Sequence, residues 1–240
     1  MTGHPTLLVT RPEPEASATV AAAQAAGFEA VAAPLLRIRP LPVTPAVPGA
    51  PPEAILLTSA RSAALLRAAR PELPADLPVF AVGPATAAAA RAAGFSRVAA
   101  TDTDGQAALE AAVAAGHRRI LHARGSDSRP LRPPAGIEIA PLVLYRAEPV
   151  RRLAAAARNA LGKGAIALLF SPRTARLFRQ RLGAAGLVPE AVAVVALSAA
   201  VATAAGPGWR ALAVAGRPTT AEVLAAARRL WQGAQGGAHG

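Results

Sequence analysis

The stretch AILLTSARSAALL at residues 54–66 and its counterpart ALLFSPRTARLF at residues 167–178 decide how this chain is read. Each opens on a short leucine- and isoleucine-rich run, crosses a Ser or Thr turn, and continues into a segment of helix formers. Two further pairs follow in the same order and at similar spacing. VFAVGPATA at residues 79–87 parallels VVALSAAVA at residues 194–202, and ATDTD at 100–104 parallels AGRPT at 215–219. Ordered repetition of this kind indicates one α/β plan used twice.

Working outward, the same rhythm fills most of the chain. Leu7, Leu8 and Val9 read as a strand, and Glu13 to Ala26 as a helix closed by Gly27. Phe28 to Ala33 resumes extended structure. Further strands are expected at 55–57, 79–82, 120–121, 166–170, 192–196 and 211–214, each followed by a helix. Strand–helix alternation predicts an α/β fold built on parallel sheets. Two segments break the pattern. Pro40, Pro42, Pro45, Pro48, Pro51 and Pro52 forbid a helix in the first. Ile137 to Pro149 reads as a second extended linker. Two crossings predict an outer domain of residues 1–37 and 148–240, an inserted domain of 42–142, and linkers at 38–41 and 143–147.

Composition bounds the function. The 240 residues are 52% hydrophobic but only 3% aromatic, so alanine carries much of the core. The net charge is +12, yet Lys163 is the single lysine and the arginines are dispersed. That pattern fits attraction of a polyanionic small molecule better than a nucleic-acid tract. Absence of cysteine excludes disulfides and thiolate chemistry. His4, His117, His122 and His239 lack metal-ligand spacing, so no metal is expected. No apolar run reaches about 18 residues, so no membrane span is expected. P-loop, G-x-G-x-x-G and G-x-S-x-G signatures are also missing.

What remains is a set of strand-to-helix turns rich in small hydroxyls and glycine. Thr58 and Ser59, Gly83 with Thr86, Thr103-Asp104-Gly105, Ser171, Ser198, and Thr219 with Thr220 occupy them. Such turns gather at the carboxyl edge of a parallel sheet, where helix N-termini suit anions. Plain helix capping selects the same residues. Arg11 follows the first strand and either pairs with an anion or lies in solvent. Arg124 and Gly125 pose a similar choice, the glycine permitting close backbone approach. Tyr145, the single tyrosine, either donates a hydrogen bond to a leaving hydroxyl or packs as a linker aromatic.

The ordered blocks LVTRP (8–12), LTS (57–59), AVG through Thr86 (81–86), LHARG (121–125), VLYR (143–146), Ser171-Pro172 and PTTAEVL (218–224) resemble uroporphyrinogen-III synthases. The resemblance runs from Leu7 to Leu230. It implies two parallel-sheet α/β domains, Rossmann/flavodoxin-like lobes, joined by a two-stranded linker with the active site in the cleft. It further implies hydroxymethylbilane as substrate, ring D inversion through a spiro intermediate, and no cofactor. A cytoplasmic monomer, functionally coupled to hydroxymethylbilane synthase, is the expected setting. Tyr145 matches the tyrosine best placed to assist hydroxyl departure. Arg11, Thr58, Ser59, Gly83, Thr86, Arg124, Gly125, Ser171, Ser198, Thr219 and Thr220 are the expected substrate contacts. Two departures stand out: Ser198 replaces the usual glycine of its turn, and Arg173 is bulky where smaller residues are usual. The altered Ser198 turn leaves open a paralogue that binds tetrapyrroles or another polyanion without turnover. A basic nucleic-acid-binding module would differ from both in a steep dependence on salt.

Overall fold

The computed structural model describes residues 5–43, 50–101 and 103–236, with side chains to residue 234. His4, Pro45, Pro48, Asp102 and His239 lie outside the described residues. In chain order the strands are β1 (Thr6–Val9), β2 (Glu29–Ala32), β3 (Leu36–Pro40), β4 (Ala54–Leu57), β5 (Val79–Val82), β6 (Val98–Thr101), β7 (Arg119–Gly125), β8 (Glu138–Pro149), β9 (Ile166–Leu169), β10 (Ala193–Ala196) and β11 (Ala211–Val214). The helices are α1 (Glu15–Ala25), α2 (Ala60–Ala69), α3 (Gly83–Ala92), α4 (Gly105–Ala114), α5 (Ala155–Gly162), α6 (Pro172–Gly183), α7 (Ala199–Ala205) and α8 (Thr220–Gly236). Contacts divide the chain into one unit of Met1–Arg37 with Glu148–Gly240 and a second of Ile38–Ala147.

In the first unit five strands lie in the order β11-β10-β9-β1-β2, all parallel. Counted within the unit this is the flavodoxin-like order, read from its far edge. Strands β9 (IALL) and β10 (AVVA) are buried along their whole length, as a parallel sheet covered on both faces requires. Alternation along β1 sends Leu8 into one core with Phe178 and Val194, and Leu7 and Val9 into the other with Val223. Phe178 is fully buried and its ring stacks on Trp209 at 5.8 Å.

In the second unit the order is β3-β8-β7-β4-β5-β6. The five strands from β8 to β6 are parallel and, read from the β6 edge, follow the first five places of the Rossmann order. Helices α2 and α3 cover one face and α4 the other. Ala63, Ala87, Ala90, Ala108 and Ala112 are buried on those faces beside Leu66 and Leu109, and the small side chains let the helices approach closely. Strand β3 pairs with β8. Leu41 N–H donates to the Leu144 carbonyl at 2.8 Å and Val150 N–H to that of Leu35 at 3.0 Å. Those two bonds descend one strand while climbing the other, so the pair is antiparallel.

Three expectations need correction. Strand β7 is followed by no helix; a loop over 126–137 leads directly into β8. Pro130, Pro133 and Pro134 explain it, since each removes a helix donor and clashes with the preceding turn. A parallel return still requires about a dozen crossover residues, and this irregular loop supplies them. Residues 137–149 are therefore more than a linker, because β8 pairs with β7 from Glu138 to Tyr145. Finally, Val98–Thr101 forms an edge strand, β6, that the sequence reading omits.

Candidate functional site

Among the described residues seven helices start within a few residues of a strand end: α1 after β1, α2 after β4, α3 after β5, α4 after β6, α6 after β9, α7 after β10 and α8 after β11. In each parallel sheet these turns share the carboxyl edge, where the unpaired N–H groups of helix starts face outward. The expected contact residues fall on that edge, but their hydroxyls do different things.

Some are caps. Ser171 Oγ accepts the Thr174 N–H at 3.1 Å while Thr174 Oγ1 accepts the Ser171 N–H at 3.2 Å, a reciprocal capping box. Thr219 Oγ1 accepts the Glu222 N–H at 3.3 Å. Asp104 accepts the N–H groups of Gln106 and Ala107, at 3.0 and 3.1 Å. Others stand at cap positions without a side-chain capping bond: Ser59 before α2 and Ser198 before α7. Ser198 has extended backbone (φ −157°), so its turn forms without glycine. Gly83 sits at φ +78°, a conformation that favours glycine, and opens α3 itself. Thr86 lies inside α3 and is buried, so it belongs to that helix's packing rather than its exposed start.

The structure assembles three local clusters. In the first unit, the Arg11 guanidinium lies 4.6 Å from the Phe170 ring centroid and its Nη1 donates to Thr220 Oγ1 at 3.5 Å. Beneath it the buried Thr10 hydroxyl donates to the Leu168 carbonyl at 2.6 Å, tying β1 to β9.

The second cluster, in the other unit, surrounds Tyr145. Pairing of β7 with β8 slips between Arg124 and Gly125, so Gly125 faces Tyr145 instead of Leu144. A bulge of this kind re-aims a side chain. Here it lays the tyrosine ring over Gly125, where a Cβ would stand 2.7 Å from ring atoms Cε2 and Cζ. The Arg61 guanidinium lies 5.7 Å from the ring centroid, and the Ser126 N–H donates to the Tyr145 carbonyl at 2.9 Å. The glycine expected to admit a ligand thus admits the protein's own tyrosine.

The third cluster lies on the opposite face of the same sheet. Thr58 Oγ1 is 3.4 Å from Nε2 of His122, which is 3% exposed. Burial, and next the charge of Arg124, push the His122 pKa down to about 4. The unfolded chain therefore takes up a proton near the ordinary 6.5 that the folded chain refuses until about 4. Stability is full above pH 6.5 and falls as pH drops through that window. At about 1.4 kcal/mol per pH unit the loss approaches about 3 kcal/mol. Urea titrations of the wild type and His122→Asn should show this extra slope in the wild type alone. Equal slopes would remove the claim.

His122, Arg61 and Phe170 were not among the expected site residues. His122 pairs with Leu56 in register, which puts it on the same face as Thr58 two residues further on, and that register is set by the sheet rather than by neighbours in the sequence. Arg61 and Phe170 flank the repeated Ser59 and Ser171 turns.

A family model for uroporphyrinogen-III synthase HemD matches residues 17–225. The chain belongs to that family. Such enzymes act on a small-molecule tetrapyrrole. The structure is similar to uroporphyrinogen-III synthetase from Helicobacter pylori, with a TM-score of 0.62 at 16% identity, covering 95% of this chain and 99% of that one. A mutant uroporphyrinogen III synthase from Thermus thermophilus aligns with a TM-score of 0.49, also at 16% identity, over 95% and 99% of the two chains. No curated protein matches the chain in sequence. Among the described residues no helix is long and apolar enough to cross a membrane.

Proposed function

We propose that this chain converts hydroxymethylbilane to uroporphyrinogen III and water, a hydro-lyase reaction, with Tyr145 assisting departure of the hydroxyl. The family match over residues 17–225 carries this reading. Loss of the hydroxyl, leaving as water with an added proton, gives an azafulvene. Its methylene carbon bonds to the substituted carbon of ring D, forming a spiro centre. Cleavage of the older bond at that centre and reclosure at the free position invert the ring. The pyrrole nitrogen supplies the electron pair that expels the hydroxyl, so the chain needs only a modest proton donor and a firm hold on the substrate's shape.

That division of labour agrees with the residues present. A single phenol, fixed over Gly125, stands where the pairing of β7 with β8 ends. In its own unit Thr58, Ser59 and the helix starts offer the donors that carboxylate side arms call for. Arg11 and Thr220 offer the same chemistry in the other unit. Ser198, in ordinary extended backbone, offers an N-terminal turn of the same kind, so loss of the glycine is no reason to read the chain as inactive.

The deciding assay couples the protein to hydroxymethylbilane synthase and porphobilinogen and separates the isomers after oxidation. Type III product should dominate at saturating protein. Type I alone, the product of unaided closure, would reject the proposal.

A further inference from the structure

The Thr58–His122 pair lies on the face of the sheet opposite Tyr145, and its geometry is specific. Thr58 is held at two points. Its methyl lies against the start of α4, where a Cβ on Gly105 would come within 3.0 Å of Thr58 Cγ2. Its hydroxyl oxygen lies 3.4 Å from His122 Nε2. Thr58 is half-buried at the carboxyl end of β4, whereas His122 is enclosed.

A threonine hydroxyl owns one proton. If neutral His122 carries its proton on Nδ1, Nε2 accepts that hydroxyl proton and Thr58 shows only lone pairs to an approaching ligand. A carboxylate would be repelled. If the proton sits on Nε2, the imidazole donates to Oγ1 and the hydroxyl proton is left to donate outward. The two tautomers give the same heavy-atom distance and opposite ligand preferences. Arg124, two residues along β7, adds positive charge nearby and favours an anion at this edge.

We infer that His122 is a positioning residue: its Nε2–H donates to Thr58 Oγ1 and so directs the Thr58 hydroxyl proton to a carboxylate of the tetrapyrrole substrate. The inference rests on the proposed function for the identity of the anion, but its first test does not. In substrate-free protein labelled with ¹⁵N-histidine, a long-range ¹⁵N–¹H correlation spectrum separates protonated from unprotonated ring nitrogens. His122→Asn identifies the resonances by their loss. At about pH 7, above the ring's titration, the His122 Nε2 signal should be that of a protonated nitrogen and Nδ1 that of an unprotonated one. The reverse pattern, or a doubly protonated ring, overturns the inference even where the protein makes type III product normally.

Kinetics supply the second readout. His122→Ala should raise KM about tenfold, the range of one net hydrogen bond, with kcat within about twofold. Thr58→Val should do the same, and the double variant should be no worse than either. His122→Asn, which retains an N–H donor, should recover most of the loss. A KM effect in His122→Asn equal to that of the alanine variant, or KM unchanged throughout, refutes the assignment. Where the alanine variant does not fold, the asparagine variant and the wild-type spectrum still decide.

Discussion

Replacing Tyr145 by phenylalanine should lower kcat for type III formation by about 10²-fold and leave KM nearly unchanged. A positioned proton donor contributes roughly 10²–10⁴ in rate, and the lower end applies because the pyrrole nitrogen already drives the hydroxyl out. The phenol hydrogen bond matters as charge gathers on the departing oxygen, so its loss falls on kcat and kcat/KM together. Structure should survive. Phenylalanine keeps the ring that covers Gly125 and faces Arg61. The variant's urea midpoint should therefore match the wild type within error. Single-turnover assays with freshly generated hydroxymethylbilane separate chemistry from release. A rate equal to the wild type would leave Tyr145 as a packing residue and move the search for the donor to water.

The sequence was most legible where local chemistry and global fold coincide. Runs such as IALL and AVVA, bounded by turn residues, read as strands buried on both faces, and the turn after each falls at the carboxyl edge of the sheet. Repetition of the Ser59 and Ser171 blocks exposed the doubled α/β plan because both copies keep strand, turn and helix in register with one another. Legibility failed where sheet partners, not neighbours, set the outcome. The edge strand at Val98–Thr101 is half exposed, and its Ala99 and Ala100 have little strand preference of their own. The return from β7 to β8 has no helical signature because a proline loop does the crossing. At the candidate site the same division holds. Thr58 and Tyr145 announce themselves by position, whereas His122 and Arg61 acquire meaning only from a cross-strand register and a helix-to-strand contact. Ser171 and Thr219 carry the residue types of a binding turn but spend their oxygens on caps, a distinction that residue type alone does not make.

Gly125→Ala should reproduce most of the Tyr145→Phe loss from one methyl group. Gly125 does not occupy the left-handed region, so alanine fits its backbone and the whole effect lies in the contact. The new Cβ would stand 2.7 Å from Cε2 and Cζ of Tyr145 and 3.0 Å from its hydroxyl oxygen, so the ring must move by about 1 Å to reach ordinary packing distance. Displacement of a catalytic group by that amount costs about 10²-fold. Overpacking typically costs about 1–3 kcal/mol, and a half-exposed ring with room to tilt places this case near about 1 kcal/mol. For a chain of this length that is a fall in Tm of about 2–4 °C. The double variant separates two roles for the glycine. If the methyl acts only by moving the phenol, Gly125→Ala with Tyr145→Phe should be as slow as Tyr145→Phe alone, within about twofold. If Gly125 also lets the substrate approach the backbone, the two losses should multiply towards about 10⁴-fold. An alanine variant with wild-type kcat would mean that the bulge between β7 and β8 does not set the reacting position of Tyr145.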